Sequence, residues 1–253
     1  MRTGEPLGDQ AAADPRGERI AKWLARAGVA SRRDVEKLIT EGRVKLNSKP
    51  VTHPATFVDT GDIVRVDGTV VETAERTRMW RYHKPAGLLT THRDPQGRAT
   101  VFDKLRERLP RVISVGRLDL NSEGLLLLTN DGALARKLEL PATGWLRRYR
   151  VRVNGHPDPA SLAALAKGVT VDGVRYGPID AGLDSRKGDN AWLTVSLREG
   201  RNREIRRVMT HLRLPVTRLI RIAYGPFQLG TLARGEVEEV PARVLRDQLP
   251  REG

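Results

Sequence analysis

The sequence of 253 residues contains no cysteine, which excludes disulfide bonds and zinc sites built on thiolates. No apolar run in it approaches the roughly 20 residues that a helix needs to cross a bilayer. Its first residues lack the apolar core of a secretory signal peptide. These absences predict a cytoplasmic protein that has no membrane partner.

Acidic residues are scarce relative to basic ones, because 31 aspartates and glutamates stand against 45 lysines and arginines. The resulting net charge of +14 destabilises a compact chain through self-repulsion, and a polyanionic partner would offset that repulsion. A generically basic surface or a basic tail would give the same total charge. The basic residues cluster within patterned segments, at 17–50 and 198–221, which favours a nucleic-acid partner.

The order of the predicted elements indicates an α+β protein with two folded parts. Residues 1–16 have no periodicity and predict a disordered leader. Residues 17–76 pair two short helices with small strands and predict a compact module. Residues 79–243 are strand-rich without regular βαβ alternation, which favours a mixed, mainly antiparallel sheet. The end of the chain, from Ala242, predicts a short charged helix or tail, and the tail is assigned to residues 244–253.

The second part carries most of the predicted secondary structure. Strands are predicted at 79–83, 112–116, 125–129, 147–153 and 191–197, and helices at 99–108, 132–139, 158–167 and 202–211. The five histidines show no spacing typical of metal ligands, so we expect no metal site.

The second helix of the N-terminal module is predicted to begin at Ser31, because Asp34 follows at the spacing of a capping box. Arg32 and Arg33 then fall in its first turn, where the helix dipole disfavours cations. RNA phosphates would offset that cost, although a solvated basic helix face would look the same. The other predicted RNA-binding residues of the module are Lys37, Arg43, Lys45 and Asn47.

The stretch ERIAKWLARAGVASRRDVEKLITEGRVKLNSKPV resembles the small RNA-binding module first described in small-subunit ribosomal protein four. The resemblance covers about residues 17–75. It rests on Gly28, Ser31-Arg32-Arg33, Ile39, Gly42-Arg43-Val44 and Asn47. It implies binding to structured RNA and says nothing about catalysis.

The run GRLDLNSEGLLLLTNDG is predicted as strand, turn and strand, with the turn at 121–124. Asp119 would then lie where the first strand becomes a loop. A carboxylate fixed at a strand end can act as a nucleophile or as a base. An aspartate at a turn also commonly satisfies nearby backbone groups or pairs with an arginine. The residues alone leave both interpretations open.

Five motifs in order resemble those of the bacterial RsuA/RluB-type rRNA pseudouridine synthases, from about Trp80 to Leu232. They are RYHKPAGLLTTHRDPQGRATVFDKL, GRLDLNSEGLLLLTNDG, RRYRVRV, LREGRNREIRRVM and VTRLIRIAYGPFQL. The resemblance implies an enzyme that isomerises uridine to pseudouridine in ribosomal RNA without a cofactor. It places the essential carboxylate on Asp119, the family's aromatic residue on Tyr149 and its basic residue on Arg206. It also places Leu219 at the base pocket.

This implied chemistry gives each site residue a role. An ion pair from Arg206 would keep the carboxylate of Asp119 charged. Tyr149 would stack on the extruded base and could transfer a proton, although a tyrosine in a strand is also typical of a core.

Several basic residues of the second part are predicted to contact RNA. Arg117 could occupy the space left by the flipped nucleotide or bind the backbone. Lys84 could contact RNA or support the Asp119 loop. The remaining predicted RNA contacts are Arg201, Arg203 and Arg207.

The strings EGRNREIRR and DPQGRATVFD look more like the large-subunit RluB branch than the small-subunit branch. The resemblance therefore implies a uridine in 23S rRNA or in a ribosome-assembly intermediate, with 16S rRNA as the alternative. A non-catalytic RNA-binding or ribosome-assembly factor would suit the module and the charge equally well. A nuclease is disfavoured because paired acidic residues for metal ions are lacking. We expect a monomer.

Overall fold

The computed structural model describes residues 17–73 and 76–248, so the predicted leader lies outside the described residues. The chain falls into two compact units that divide between Arg76 and Thr77. Both units combine helices with β-sheet, which confirms the predicted α+β class. None of the helices described is long and apolar enough to cross a membrane.

The N-terminal unit packs a helix pair against a small sheet of order β3-β2-β5-β6. Its elements are β1 (Glu18–Arg19), α1 (Ile20–Arg26), α2 (Arg32–Thr40), β2 (Val44–Leu46), β3 (Lys49–Pro50), β4 (Phe57–Val58), β5 (Val64–Val66) and β6 (Thr69–Val70). The hydroxyl of Ser31 accepts a hydrogen bond from the Asp34 amide, as the capping pattern predicted. Ile20, Leu24 and Val35 are buried in the core between helices and strands.

The C-terminal unit is built on one large sheet of order β13-β14-β10-β15-β9-β7-β17. The strands β9 and β15 run parallel, and all other neighbouring strands in this order run antiparallel. Its elements are β7 (Met79–Lys84), α3 (Val101–Leu105), β8 (Ile113–Val115), β9 (Ser122–Thr129), α4 (Gly132–Glu139), β10 (Arg147–Asn154), α5 (Pro159–Ala164), β11 (Val169–Val171), β12 (Val174–Tyr176), β13 (Ile179–Lys187), β14 (Asn190–Leu197), α6 (Glu204–His211), β15 (Val216–Tyr224), β16 (Phe227–Gln228), β17 (Val237–Glu239) and α7 (Ala242–Gln248).

The large sheet has two faces, because successive side chains of a strand point to opposite sides. The front face carries Tyr149, Val151 and Val153 of β10, which are buried against α5 and α6. The back face carries the alternate residues of the same strand. It is covered by α4 and α7 where β9 presents Leu125 and Leu127. On the front face, β9 presents Leu126 and Leu128 to α3. Helices therefore cover the half of the sheet around β10 from the front and the half around β9 from both sides.

The turn predicted at 121–124 is wrong, because β9 already begins at Ser122 and the chain reverses before it. Gly124 lies inside the strand with a φ of 101°. A Cβ there would lie 2.2 Å from the carbonyl oxygen of Arg221, its partner in β15. The glycine therefore allows two strands to approach closely and does not mark a turn.

Two further corrections concern the C-terminal part of the chain. The sequence did not predict β13 and β15, and β15 is central in the sheet, where Arg218 and Arg221 interrupt the apolar pattern. The tail predicted to begin at 244 starts inside α7 instead, because Leu245 is buried in the core. Its last residues, 249–253, lie outside the described residues.

The contact at Gly124 predicts that Gly124→Ala destabilises the C-terminal unit by about 3 kcal/mol or more, since the new methyl group would meet rigid backbone. Urea denaturation of the whole chain measures this change. Gly182→Ala in β13 is the matched control, because nothing lies within 4 Å of a Cβ at that position. Equal losses in the two variants would contradict the account of Gly124.

Candidate active site

Asp119 lies on a loop, residues 116–121, that joins β8 to β9 and is called the Asp119 loop below. The loop is fixed at both sides of this residue. Leu118 is buried, and its carbonyl oxygen accepts a hydrogen bond of 2.9 Å from the Thr90 hydroxyl. The Ser122 amide donates to the carbonyl oxygen of Asp119 at 3.0 Å. The carboxylate itself is 34% exposed, so a rigid backbone presents an accessible acidic group.

Lys84 lies directly beneath the Asp119 loop and has no exposed surface. Its Nζ donates to the carbonyl oxygens of Asp119 at 3.1 Å, Leu120 at 3.3 Å and Ser122 at 2.8 Å. A fourth bond goes to Pro85 at 3.0 Å. Burial lowers the pKa of this ammonium group to about 8, against the opposing effect of nearby carboxylates.

The predicted RNA contact of Lys84 is therefore wrong, since a side chain without exposed surface cannot reach a phosphate. The alternative interpretation, support of the loop, is the one that the structure shows. An ammonium group offers three hydrogen-bond donors. All acceptors of the Lys84 ammonium group are backbone carbonyl oxygens, which lie in the Asp119 loop, at the start of β9 or in the residue after Lys84.

Arg203 is the cation nearest to the carboxylate of Asp119, with 3.7 Å between its Nη1 and Oδ2 of the aspartate. It immediately precedes α6 and has a left-handed backbone, with a φ of 52°. Such a conformation is uncommon outside glycine and often marks a functional site. Its side chain is half exposed, so the ion pair is in contact with solvent.

Arg206 does not make the ion pair with Asp119 that the sequence predicted. Its Nη2 donates to the carbonyl oxygen of Asn121 at 3.1 Å, and its Nη1 donates to that of Val216 at 3.2 Å. Burial and the charge of Arg203 lower the pKa of its guanidinium group. Arg206 thus connects α6 to the end of the Asp119 loop, while Arg203 pairs with the carboxylate.

Tyr149 and Leu219 lie on the front face of the sheet, in the neighbouring strands β10 and β15. Both are nearly buried, at 8% and 6% exposure. They share an apolar cluster with Ile205, the residue before Arg206 in α6. Leu219 is also in register with Ser122, three residues after Asp119. The β9–β15 pair and α6 therefore bring all the predicted catalytic elements together.

Glu123 is a buried acid of this region that the sequence did not single out. Its carboxylate accepts two hydrogen bonds from Arg218, at 2.8 and 3.1 Å, and pairs with Arg234 at 3.1 Å. The hydrogen bonds from Arg218 lower the pKa of the carboxyl group. The available signal was a charged residue directly before the apolar run that was predicted as a strand at 125–129. Glu123 ties β9 to β15 directly after the Asp119 loop.

Glu204 is the first residue of α6 and is also buried. Its Oε2 accepts a hydrogen bond of 3.0 Å from the Arg201 amide, whereas its buried Oε1 has no partner. Burial raises the pKa of this carboxyl group.

No group of three or more histidine and acidic side chains in the described residues could hold a metal ion.

The other predicted RNA contacts of the C-terminal unit lie at the surface. Arg117 and Arg207 are exposed, and Arg201 is half exposed with an ion pair of 3.0 Å to Glu199. Arg117 is two residues from Asp119, and Arg201 and Arg207 flank the segment that carries Arg203 and Arg206. These cations therefore lie close along the chain to Asp119 or to the two arginines that contact the Asp119 loop.

In the N-terminal unit the predicted RNA-binding residues separate into two groups. Arg32, Arg33, Lys37 and Lys45 have exposed side chains. Arg43 is held by two bonds to Asp67, at 2.8 and 2.6 Å. Asn47 uses its amide to donate to Asp62 and to accept from the amide of Ile63. Asn47 therefore fixes a turn, and its predicted role in RNA binding is not supported by this geometry.

Two family models match the chain. The model described as RNA pseudouridylate synthase matches residues 78–211, which include Asp119, Tyr149 and Arg206. The S4 domain model matches residues 18–64, within the N-terminal unit.

Curated relatives extend over most of the chain. An RNA pseudouridine synthase of Rickettsia bellii is 50% identical over 90% of this chain and 99% of its own length. The ribosomal large subunit pseudouridine synthase B of Haemophilus influenzae is 45% identical, over 88% of this chain and 65% of its own. The Salmonella typhi protein of that name is 43% identical, over 84% and 75%. A crystal structure of a pseudouridylate synthase has the same fold, with a TM-score of 0.63, 23% identity and coverage of 91% and 99%.

The bonds of Lys84 predict that Lys84→Met loosens the Asp119 loop, because methionine fills the space and donates nothing to the carbonyl oxygens. We expect hydrogen exchange at the Ser122 amide to quicken by about tenfold or more, equivalent to roughly 1.4 kcal/mol of local protection. Lys104→Met, at an exposed position of α3, is the control. An unchanged hydrogen-exchange rate at the Ser122 amide would show that the Asp119 loop keeps its structure without the ammonium group of Lys84.

Burial of Glu204 predicts a pH-dependent stability. As the pH rises above 4.5, the carboxyl group of the unfolded chain ionises before the buried one does, so the folded state loses stability. Glu204→Gln keeps an acceptor for the Arg201 amide and removes that loss. We expect urea midpoints above wild type at pH 8 and a smaller difference at pH 4. Glu107→Gln, at an exposed position, is the control, and an equal gain there would contradict the prediction.

Proposed function

The chain belongs to the RNA pseudouridylate synthase family, and from this premise we propose that it modifies a uridine of 23S rRNA with Asp119 as its catalytic carboxylate. The observation that carries the assignment is the Asp119 loop, which Lys84 holds from inside and Arg206 holds from α6. Identities of 43–45% to large-subunit synthases favour 23S rRNA over 16S rRNA.

The isomerisation replaces the bond between ribose and a uracil nitrogen by a bond to a uracil carbon. That carbon loses a proton and the nitrogen gains one, so the composition of the nucleotide is unchanged. A carboxylate can serve by attacking the nucleotide covalently or by removing a sugar proton. Both routes need an accessible oxygen held in place, and Asp119 is 34% exposed on an anchored backbone.

The nucleotide must leave its stack before the carboxylate can reach it. Arg203 pairs with Asp119 at 3.7 Å in a solvent-exposed contact, and such contacts contribute little stability. An entering nucleotide can therefore displace Arg203, whose freed guanidinium would meet a phosphate. This arrangement places a cation beside the carboxylate before binding and exposes the carboxylate when RNA arrives.

Tyr149, Leu219 and Arg206 complete the proposed site. The ring of Tyr149 would support the extruded uracil, and its hydroxyl would move the proton from carbon. Leu219 would form the apolar wall beside the base. Arg206 would position the Asp119 loop through the carbonyl oxygen of Asn121. It would also be the second cation near the carboxylate of Asp119.

Exposed cations would hold the remaining RNA. In the N-terminal unit we assign phosphate contacts to Arg32, Arg33, Lys37 and Lys45. In the C-terminal unit we assign them to Arg117, Arg201, Arg203 and Arg207. A cytoplasmic location and a monomeric enzyme acting on rRNA or on an assembly intermediate fit this assignment.

Asp119→Asn should abolish pseudouridine formation and leave RNA affinity within a few-fold of wild type, because the amide keeps the shape and loses the reactive oxygen. In vitro modification of 23S rRNA and equilibrium binding measure the two effects. Asp180→Asn, at an exposed position of β13, is the control. Wild-type rates in the Asp119 variant would remove it from catalysis, and a wild-type protein that binds 23S rRNA without modifying it would indicate a binding factor.

A further inference from the structure

The back face of the sheet carries a group of basic residues next to a tryptophan. Arg148, Arg150 and Arg152 of β10 alternate with the buried residues of that strand. Arg152 is in register with Trp192 of β14 on one side and with Arg218 of β15 on the other. These five residues are called the arginine face below. They lie on the side of the sheet opposite Tyr149.

The charges of the arginine face are only partly neutralised. Asp184 pairs with Arg150 at 3.1 Å, and Glu123 pairs with Arg218 at 2.8 Å. Within the described residues no carboxylate forms an ion pair with Arg148 or Arg152. Directly opposed like charges on neighbouring strands destabilise a sheet, and Arg152 and Arg218 are so opposed. A bound anion would remove that cost.

Trp192 adds an aromatic surface to these cations. The guanidinium carbon of Arg150 lies 5.2 Å from the centre of its ring, and the side chain remains partly exposed. Its neighbours Ala191 and Leu193 are buried on the front face, whereas Trp192 faces the back of the sheet, where its ring is not fully covered. A ring bordered by arginines is instead the combination on which bases of single-stranded nucleic acids stack.

The helices of the C-terminal unit leave the arginine face open. The helices α5 and α6 pack on the front face, and α4 and α7 pack on the back face against β8 and β9. Arg148 is exposed, and Arg150, Arg152 and Trp192 are partly exposed.

We propose that the arginine face is a second RNA-binding surface, which holds a single-stranded segment of the substrate RNA away from the nucleotide at Asp119. Arg148 and Arg152 would contact phosphates, and Trp192 would stack on a base. An acidic peptide would use the arginines and leave the partly exposed ring of Trp192 without a role, so the observations favour RNA. The inference rests on the proposed RNA substrate and adds a surface that the reaction itself does not require.

The test compares two double variants. The first combines Arg148→Ala and Arg152→Ala, and the second is a control pair that removes the same charge elsewhere. Arg106→Ala with Arg243→Ala is that control, because both side chains are at least 79% exposed and neither belongs to the arginine face. Binding of full-length 23S rRNA and of a single-stranded oligouridylate is measured against salt concentration.

We expect the double variant to lose at least fivefold in affinity for both RNAs, with the salt slope reduced by roughly two, one for each phosphate contact. The control pair should change either quantity much less. Trp192→Leu should weaken oligouridylate binding by about fivefold or more, and Trp192→Phe should restore most of it, because a ring allows stacking.

Three results would overturn the proposal. The double variant could match the control pair, Trp192→Leu could bind like wild type, or polyglutamate could compete as well as oligouridylate of equal length. In each case wild-type protein that still modifies 23S rRNA would leave the proposed function intact. Wild-type protein that neither binds nor modifies rRNA would contradict the proposed function itself.

Discussion

The active site depends on one buried ammonium group. Lys84 has no exposed surface and donates to four carbonyl oxygens, three of which belong to the Asp119 loop and the start of β9. Burying a cation is costly unless hydrogen bonds compensate, and here the compensation comes from the backbone whose shape must be kept. The same interaction that stabilises the lysine therefore fixes the position of Asp119.

A second set of contacts fixes the loop from the other side of the site. The helix α6 contributes Arg206 to the carbonyl oxygen of Asn121 and Arg203 to the carboxylate itself. The side chain of Arg206 is partly buried and is also held by the carbonyl oxygen of Val216, whereas the side chain of Arg203 is half exposed. The two arginines therefore differ in how readily RNA can replace their contacts. Under the proposed function, Arg206 preserves the geometry of the loop and Arg203 exchanges the carboxylate for a phosphate.

Local signals were sufficient for much of the fold and for little of the site. The starts of α2 and α4 follow from the capping residues Ser31 and Asp131, which act within one turn. The turn assigned near Gly124 failed because a glycine in a strand also allows close contact with a distant strand. The prediction of Asp119 as the catalytic carboxylate rests on resemblance to a family and not on local signals. The burial of Lys84 and the pairing of Arg203 depend on tertiary contacts that no single segment encodes.

The central claim is that this anchored carboxylate modifies ribosomal RNA at a defined position. Mapping of pseudouridines in 23S and 16S rRNA from a strain that lacks the protein, with and without the restored gene, tests it most directly. The account predicts that pseudouridine disappears from a specific 23S position, remains elsewhere, and returns with the gene. An unchanged map, or a loss confined to 16S rRNA, would contradict it.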